Sequence, residues 1–216
     1  MKKLCIFDLD GTLTNTLENL AYVTNEALGK FGIKPSPTEM FKYFAGDGVK
    51  QLIKRAMEYQ NADMINYDAC LNTYLEMFET KCSYLVKPYD DIVNLLGELK
   101  KMGVKLSVYS NKPHEMAVSV VEEIFGKGTF NVIIGQREGH EVKPSAEGVF
   151  ETMETLGVNA KDVLYIGDTN TDVKTGKNAG VFTIGVTWGF RTKDELEKEG
   201  ADVIIDNPLQ VLNYLD

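Results

Sequence analysis

The chain has 216 residues, 44% of them hydrophobic and 25% charged. Such values suit one large domain, or a domain carrying an insertion, and exclude a disordered or collagen-like chain. Lys and Arg number 23 against 32 Asp and Glu, a formal charge of −9, and that field repels a phosphodiester backbone and an anionic bilayer alike. No basic stripe interrupts it, so neither nucleic acid nor membrane is expected as a partner. Cys5, Cys70 and Cys82 are odd in number and lack C-x-x-C spacing, which argues against a disulfide framework or a structural zinc site. The apolar stretch near the amino terminus stops at Asp8, and no run approaches the ~18 residues of a membrane span. A reduced, soluble, cytoplasmic protein is the expectation.

In chain order, Leu4–Phe7 is the first of several short apolar runs with strand character. From about Thr14 to Tyr84 the periodicity is helical throughout. Leu17, Leu20, Ala21, Ala27, Leu28 and Phe31 share one face. Val49, Leu52, Ile53, Ala56 and Met57 share a second, and Leu71, Tyr74, Leu75 and Phe78 a third. Within this stretch Ser36-Pro37-Thr38-Glu39 predicts a helix start with serine at the N-cap, proline at N1 and glutamate at N3. Gly46 and Gly48 predict a loop between helices with positive φ. After residue 84 strands and helices alternate. Helical faces at Ile92, Leu95, Leu96, Leu99 and at Ala117, Val120, Val121, Ile124 are interspersed with strands at Leu106–Tyr109, Val132–Ile134, Val163–Ile166, Phe182–Val186 and Val203–Ile205. Strands that are apolar at consecutive positions and alternate with helices indicate a parallel sheet covered on both faces. The predicted fold is α/β: a doubly wound, Rossmann-like core of residues 1–14 and 85–216, with an α-helical cap domain, 15–84, inserted over the carboxyl edge of the sheet.

Ligands of such sheets bind beyond the carboxyl ends of the strands, so the residues there are the candidates. Asp8 and Asp10 stand two apart at the end of the first strand, where their side chains converge on one small volume. Two carboxylates that close invite a cation, and Asp168, after a neighbouring strand, completes an oxygen set suited to Mg²⁺. Asp172 follows four residues later, on the same helix face if the turn is already helical; holding Lys143 and ligating a metal are equally open to it. Ser110 supplies a hydroxyl, and Lys143 a point charge for phosphoryl oxygens. Pro113 at a helix N1 position would leave amide donors for an anion. Asn111 reads as a capping residue whose amide also helps to bind phosphate. An aspartate can serve as nucleophile toward phosphorus, with a second as general acid and base.

In four motifs taken in order, the chain resembles the haloacid dehalogenase-like phosphatases, in the branch with a helical cap after the first motif. The motifs are Asp8-Leu9-Asp10-Gly11-Thr12-Leu13, Ser110, Lys143, and Gly167-Asp168 with Asp172. The resemblance implies Asp8 as nucleophile, Asp10 as general acid and base, and Mg²⁺ held by the Asp8 side chain, the Asp10 carbonyl and Asp168. Ser110-Asn111-Lys112-Pro113, Gly46-Asp47-Gly48 and Thr187-Trp188-Gly189-Phe190-Arg191 are similar to the phosphoglycolate phosphatase group. The sequence departs from the family pattern at Asn15 and Thr16, and at Ala146, where a second proline is common.

Beside these stand plainer readings. Asp-x-Asp alone is mostly a solvated strand end, and Lys112 reads as a surface charge. Arg191 is a candidate for a substrate carboxylate, although an exposed salt bridge is the stronger expectation. Gly46 and Gly48 are equally a loop device and a specificity element. His114 and His140 fall on surface segments without evident partners, Cys5 in the core, and Trp188 packs its own loop. The substrate expected is a small phosphorylated metabolite, phosphoglycolate first. A pyrophosphatase and a phosphomutase are the enzymatic rivals, and a binding or assembly protein on the same scaffold is the rival outside enzymes. Oligomeric state is not legible.

Overall fold

The computed structural model describes residues 1–216. Strand β1 (Leu4–Phe7) is apolar at every position because both faces are covered: Cys5 and Phe7 join one buried cluster, Leu4 and Ile6 another. The chain then makes a tight turn, in which the Leu9 carbonyl accepts from the Leu13 and Thr14 amides, and enters β2 (Thr14–Asn15). Strand β2 pairs antiparallel with β3 (Lys87–Pro88). These two-residue strands were not expected from the sequence: such a ladder is too short to leave a periodic signal.

Between β2 and β3 lie α1 (Leu17–Gly29), α2 (Phe41–Phe44), α3 (Val49–Tyr59) and α4 (Tyr67–Lys81). Helix α1 packs on α4, and α3 packs on both α2 and α4. Their apolar faces bury Leu20, Leu28, Phe41, Ile53, Tyr74 and Phe78 in a cluster continuous with Phe7, Leu106 and Val108 of the sheet. Ser36 does not cap a helix. Thr38–Met40 forms a 3₁₀ turn leading into α2, while Ser36 is buried, its carbonyl and amide paired with the Asn25 side chain and its hydroxyl with Gln60. Tertiary partners outcompete the local capping geometry there.

The remainder alternates: α5 (Ile92–Lys101), β4 (Lys105–Pro113), α6 (His114–Phe125), β5 (Val132–Gln136), α7 (Glu147–Leu156), β6 (Val163–Gly167), α8 (Asn170–Ala179), β7 (Phe182–Val186), α9 (Lys193–Lys198) and β8 (Val203–Ile205). Six strands form one parallel sheet in the order β5-β4-β1-β6-β7-β8. Helices α5 and α6 cover the face that carries Cys5 and Phe7, and α7 and α8 the opposite one. The fold is the doubly wound, Rossmann-like α/β sheet expected. Its central strand β1 has β4 on one side and β6 on the other, so the chain reverses its winding there and leaves a crevice at the carboxyl ends of these three strands. The cysteines are free and buried, and no helix is long and apolar enough to cross a membrane.

Strand β4 runs four residues beyond the expected Tyr109, and its register against β5 shifts between Tyr109 and Pro113. Irregularities of this kind re-aim side chains at a strand end. Pro113 consequently sits at the N-cap of α6, with ψ of 138°, and His114, not Pro113, is the first helical residue.

Candidate active site

The crevice holds a cavity open at one side. Asp8, Asp10, Ser110, Asn111 and Lys143 line it, with Gly46 and Gly48 facing them from the α2–α3 loop. Asp168 and Asp172 stand behind, and oxygens of Asp8, Asp168 and Asp172 lie within 4.8 Å of one another.

Each carboxylate is held differently. Asp8 Oδ1 accepts from the Leu9 amide and from Lys143 Nζ, both at 2.7 Å, while Oδ2 carries no protein donor. Asp168 accepts from the Thr12 hydroxyl and the Phe190 amide, each at 2.8 Å. The Asp10 side chain lies apart from this cluster, but its main-chain carbonyl accepts no hydrogen bond from the protein. Gly11 takes φ of +92° beside it, and a Cβ built there would collide with the Asp168 carboxylate, so this turn admits glycine alone.

Asp172 is the most fully engaged of the acids. Its Oδ1 accepts from Lys143 Nζ at 2.7 Å and Tyr165 Oη at 3.1 Å, and its Oδ2 from the Thr169 amide and hydroxyl at 3.0 and 2.6 Å. Thr169 is the N-cap of α8 and Asp172 its N3 residue, a reciprocal capping box. The T-x-x-D spacing is the signal that carries this in the sequence. Asp168 precedes the helix, so the two acids do not share a helix face; they meet because the cap folds Asp172 back toward the strand end.

Burial pushes the Asp8 carboxyl well above its ordinary value, reinforced by Asp172 and opposed by Lys143. Asp168 is pushed up to about 7, by burial first and then by Asp172. Burial alone would lower Lys143, but Asp172 and Asp8 overcome it and hold the ammonium protonated. Three buried acids against one buried lysine leave a charge deficit near two, so a divalent cation fits this donor set. Asp8, Asp168 and the open Asp10 carbonyl are oxygen donors of the kind hard cations take.

Around the acids stand anion donors. Ser110 Oγ accepts from the Lys112 amide at 3.2 Å and keeps its own proton free to donate. Asn111 does not cap α6. Its side chain staples two loops, accepting from the Lys143 amide at 2.7 Å and donating to the Lys143 and Gly46 carbonyls at 3.1 and 3.0 Å.

Lys112 is not a surface charge. Its side chain is 2% exposed and its Nζ donates to both Asp10 oxygens, at 2.9 and 3.1 Å. The missed signal is local: the residue before a proline is held extended, so Lys112 projects to the same side as Ser110, two residues earlier. Arg191 is likewise buried rather than exposed. Its guanidinium donates to the Lys42 and Ala45 carbonyls at the end of α2, and it pairs with Glu195 at 3.4 Å. It does not line the cavity.

Gly46 and Gly48 take φ of +111° and +83°. Between them Asp47 accepts from Thr171 Oγ1 at 2.7 Å and Arg55 at 2.5 Å, joining α8 to α3. Burial would raise the Asp47 carboxyl, but Thr171 and Arg55 outweigh it and hold it below its ordinary value. Asn111, Thr171 and Arg191 therefore fasten the 45–47 segment to the sheet from three directions. Trp188 packs its loop by donating from Nε1 to the Thr12 carbonyl at 3.0 Å. The two histidines have partners: His114 Nδ1 accepts from the Gly135 amide at 3.2 Å, and His140 pairs with Glu147 at 2.7 Å.

The sequence pattern of the haloacid dehalogenase-like hydrolases matches residues 5–186. A phosphoglycolate phosphatase of Aquifex aeolicus is 30% identical, covering 99% of this chain and 97% of that protein. An N-acetylmuramic acid 6-phosphate phosphatase of Pseudomonas aeruginosa is 27% identical over 99% of this chain and 95% of that one. The crystal structure of a protein from Lactobacillus delbrueckii subsp. bulgaricus, provisionally named a phosphoglycolate phosphatase, superposes with a TM-score of 0.89 at 32% identity, covering 100% of this chain and 99% of that one. The chain belongs to the haloacid dehalogenase-like hydrolases, and within that family it is a phosphatase.

Proposed function

We propose that the protein is a cytoplasmic, Mg²⁺-dependent phosphatase that cleaves a small phosphorylated metabolite through an aspartyl-phosphate on Asp8, with 2-phosphoglycolate as the first candidate substrate. The observation that carries the reading is the buried Asp8–Lys143–Asp172 array, in which one ammonium stands 2.7 Å from each acid at the floor of the cavity. Lys143 faces the nucleophile and the phosphoryl oxygens together, and Asp172 fixes its position.

The unpaired Asp8 Oδ2 is the atom suited to attack phosphorus. As the O–P bond forms, the ester P–O bond breaks and the departing alkoxide takes a proton from the Asp10 carboxyl. Water then attacks the phosphorus, Asp10 takes the proton back, and the Asp8–phosphorus bond breaks to release phosphate. Lys143 and the Ser110 hydroxyl compensate charge on the transferring group, preorganised by the Asn111 and Asp172 contacts described above. Mg²⁺, held by Asp8, Asp168 and the Asp10 carbonyl, supplies Lewis-acid stabilisation of the phosphoryl oxygens when bound. The bundle α1–α4, residues 15–84, acts as the cap: it covers the cavity and excludes bulk water during transfer. Gly46 and Gly48 bring its loop down over the site.

The relatives from Aquifex aeolicus and Pseudomonas aeruginosa bear the names of phosphatases with different substrates, so the test is a panel. Mg²⁺-dependent phosphate release is measured on 2-phosphoglycolate, pyrophosphate, hexose phosphates, nucleotides and an aryl phosphate, with Asp8→Asn in parallel. Preference for 2-phosphoglycolate supports the reading. Preference for pyrophosphate replaces the substrate, and isomerisation of a sugar phosphate without phosphate release replaces the reaction class.

A further inference from the structure

Lys112 does more than the reaction above asks of it. Its ammonium is held between the Asp10 carboxylate and the face of the Phe78 ring, 4.8 Å from the ring centroid. Two of its three donors go to Asp10, which leaves one. Pairing alone is a weak reason to bury a lysine, because desolvation offsets much of what the attraction returns.

The cavity points to a second use. Lys112 and Lys143 are the cations that line it, and Lys143 commits two donors to Asp8 and Asp172. Arg191 and Arg55 are turned to the 42–47 segment. Beyond Asp10 the wall is largely apolar, made by Leu20, Val49, Leu52, Phe78 and Tyr74, and the Tyr74 hydroxyl there has no hydrogen-bond partner. A negative charge on the leaving group would therefore have Lys112 as its counter-ion, with the neutral Tyr74 hydroxyl as a further donor, and an unpaired charge is strongly disfavoured among apolar groups.

We propose that Lys112 selects a substrate whose leaving group carries a carboxylate next to the phosphoester, with its ammonium bridging Asp10 and that carboxylate. The inference rests on the phosphatase reading above. An acid that protonates the ester oxygen stands about 3 Å from it, which puts the Lys112 Nζ within roughly 6 Å of that oxygen. That distance suits a carboxylate one or two carbons beyond the ester.

The test compares 2-phosphoglycolate with ethyl phosphate, which has the same two-carbon chain and no carboxylate, on the full-length enzyme, Lys112→Met and Lys112→Arg. The wild type should favour 2-phosphoglycolate by about 10- to 100-fold in kcat/KM, the range of one charge-assisted hydrogen bond. Lys112→Met should lose that preference mainly through KM, and Lys112→Arg should restore part of it. Lys112→Gln takes the place of the methionine variant if that one unfolds. Equal losses on both substrates would reduce Lys112 to a support for Asp10 and overturn the proposal. A wild type that hydrolyses ethyl and aryl phosphates as well as 2-phosphoglycolate overturns it too, and leaves the phosphatase reading standing. A wild type that hydrolyses none of them overturns it as well, and the phosphatase reading falls with it only if no member of the panel above is hydrolysed.

Discussion

Asp172→Asn tests how the site is built. The two oxygens of Asp172 receive four donors: Lys143 Nζ, Tyr165 Oη, and the amide and hydroxyl of Thr169. Asparagine keeps the volume but offers one oxygen and an NH₂. With its oxygen toward Lys143, the NH₂ confronts the Thr169 amide, and a buried donor loses its partner at a cost of about 1–3 kcal/mol. The Thr169 hydroxyl can turn and accept, so it adds little. Lys143 loses one of its two counter-charges while fully buried, and breaking a buried pair costs about 3–5 kcal/mol. Asp8 still faces the ammonium at 2.7 Å, which places the total in the lower part of the summed range, about 4–5 kcal/mol. For a chain of this size each kcal/mol lowers Tm by about 2–4 °C, so a fall of roughly 10 °C is expected. Thermal and urea unfolding of the two proteins measure it. Phosphate release should also fall, through kcat, because Lys143 is no longer fixed. A variant with unchanged Tm and unchanged kcat would refute the assignment of Asp172 as the anchor of Lys143.

Three further outcomes follow from the same geometry. Thr171→Val removes the 2.7 Å contact to Asp47 and leaves Arg55 in place; amides of residues 45–48 should exchange faster and KM should rise severalfold, while unchanged exchange would show that this contact does not hold the loop. Mg²⁺ at a hundredfold excess over its Kd should stabilise the protein by about 2.7 kcal/mol, seen as a raised Tm, and Asp168→Asn should abolish most of the rise; an undiminished rise would place the ion elsewhere. Gly11→Ala forces a side chain into φ of +92° against Asp168 and should cost both stability and activity, with wild-type values in unfolding and turnover assays contradicting the account of that turn.

The sheet was legible because its strands are buried on both faces. Leu4–Phe7 and Val163–Ile166 read as uninterrupted apolar runs, a pattern few other structures produce. The residues gathered at the crevice were legible for a related reason: Asp8, Ser110 and Asp168 stand where such a run ends, and chain direction sends those ends to one edge. Contacts set by distant partners left no such trace. Arg191 meets carbonyls nearly 150 residues earlier, and Asp47 meets Thr171 across 124 residues; no local spacing announces either. Ser36 carried a capping pattern that Asn25 and Gln60 displaced. Lys112 was within reach, since its place before Pro113 and two residues after Ser110 argues for an extended chain and a shared side, but its charge led to the surface.

The central claim is covalent catalysis on Asp8, and its most direct measurement is to trap the intermediate. The enzyme is mixed with the panel substrate it turns over fastest, quenched in acid within a turnover, digested, and its peptides are searched for a phosphoryl group. A labile phosphoryl group on the peptide containing Asp8, absent from Asp8→Asn, is the expected result. Turnover without any phosphorylated peptide, or appreciable turnover by Asp8→Asn, would contradict the account.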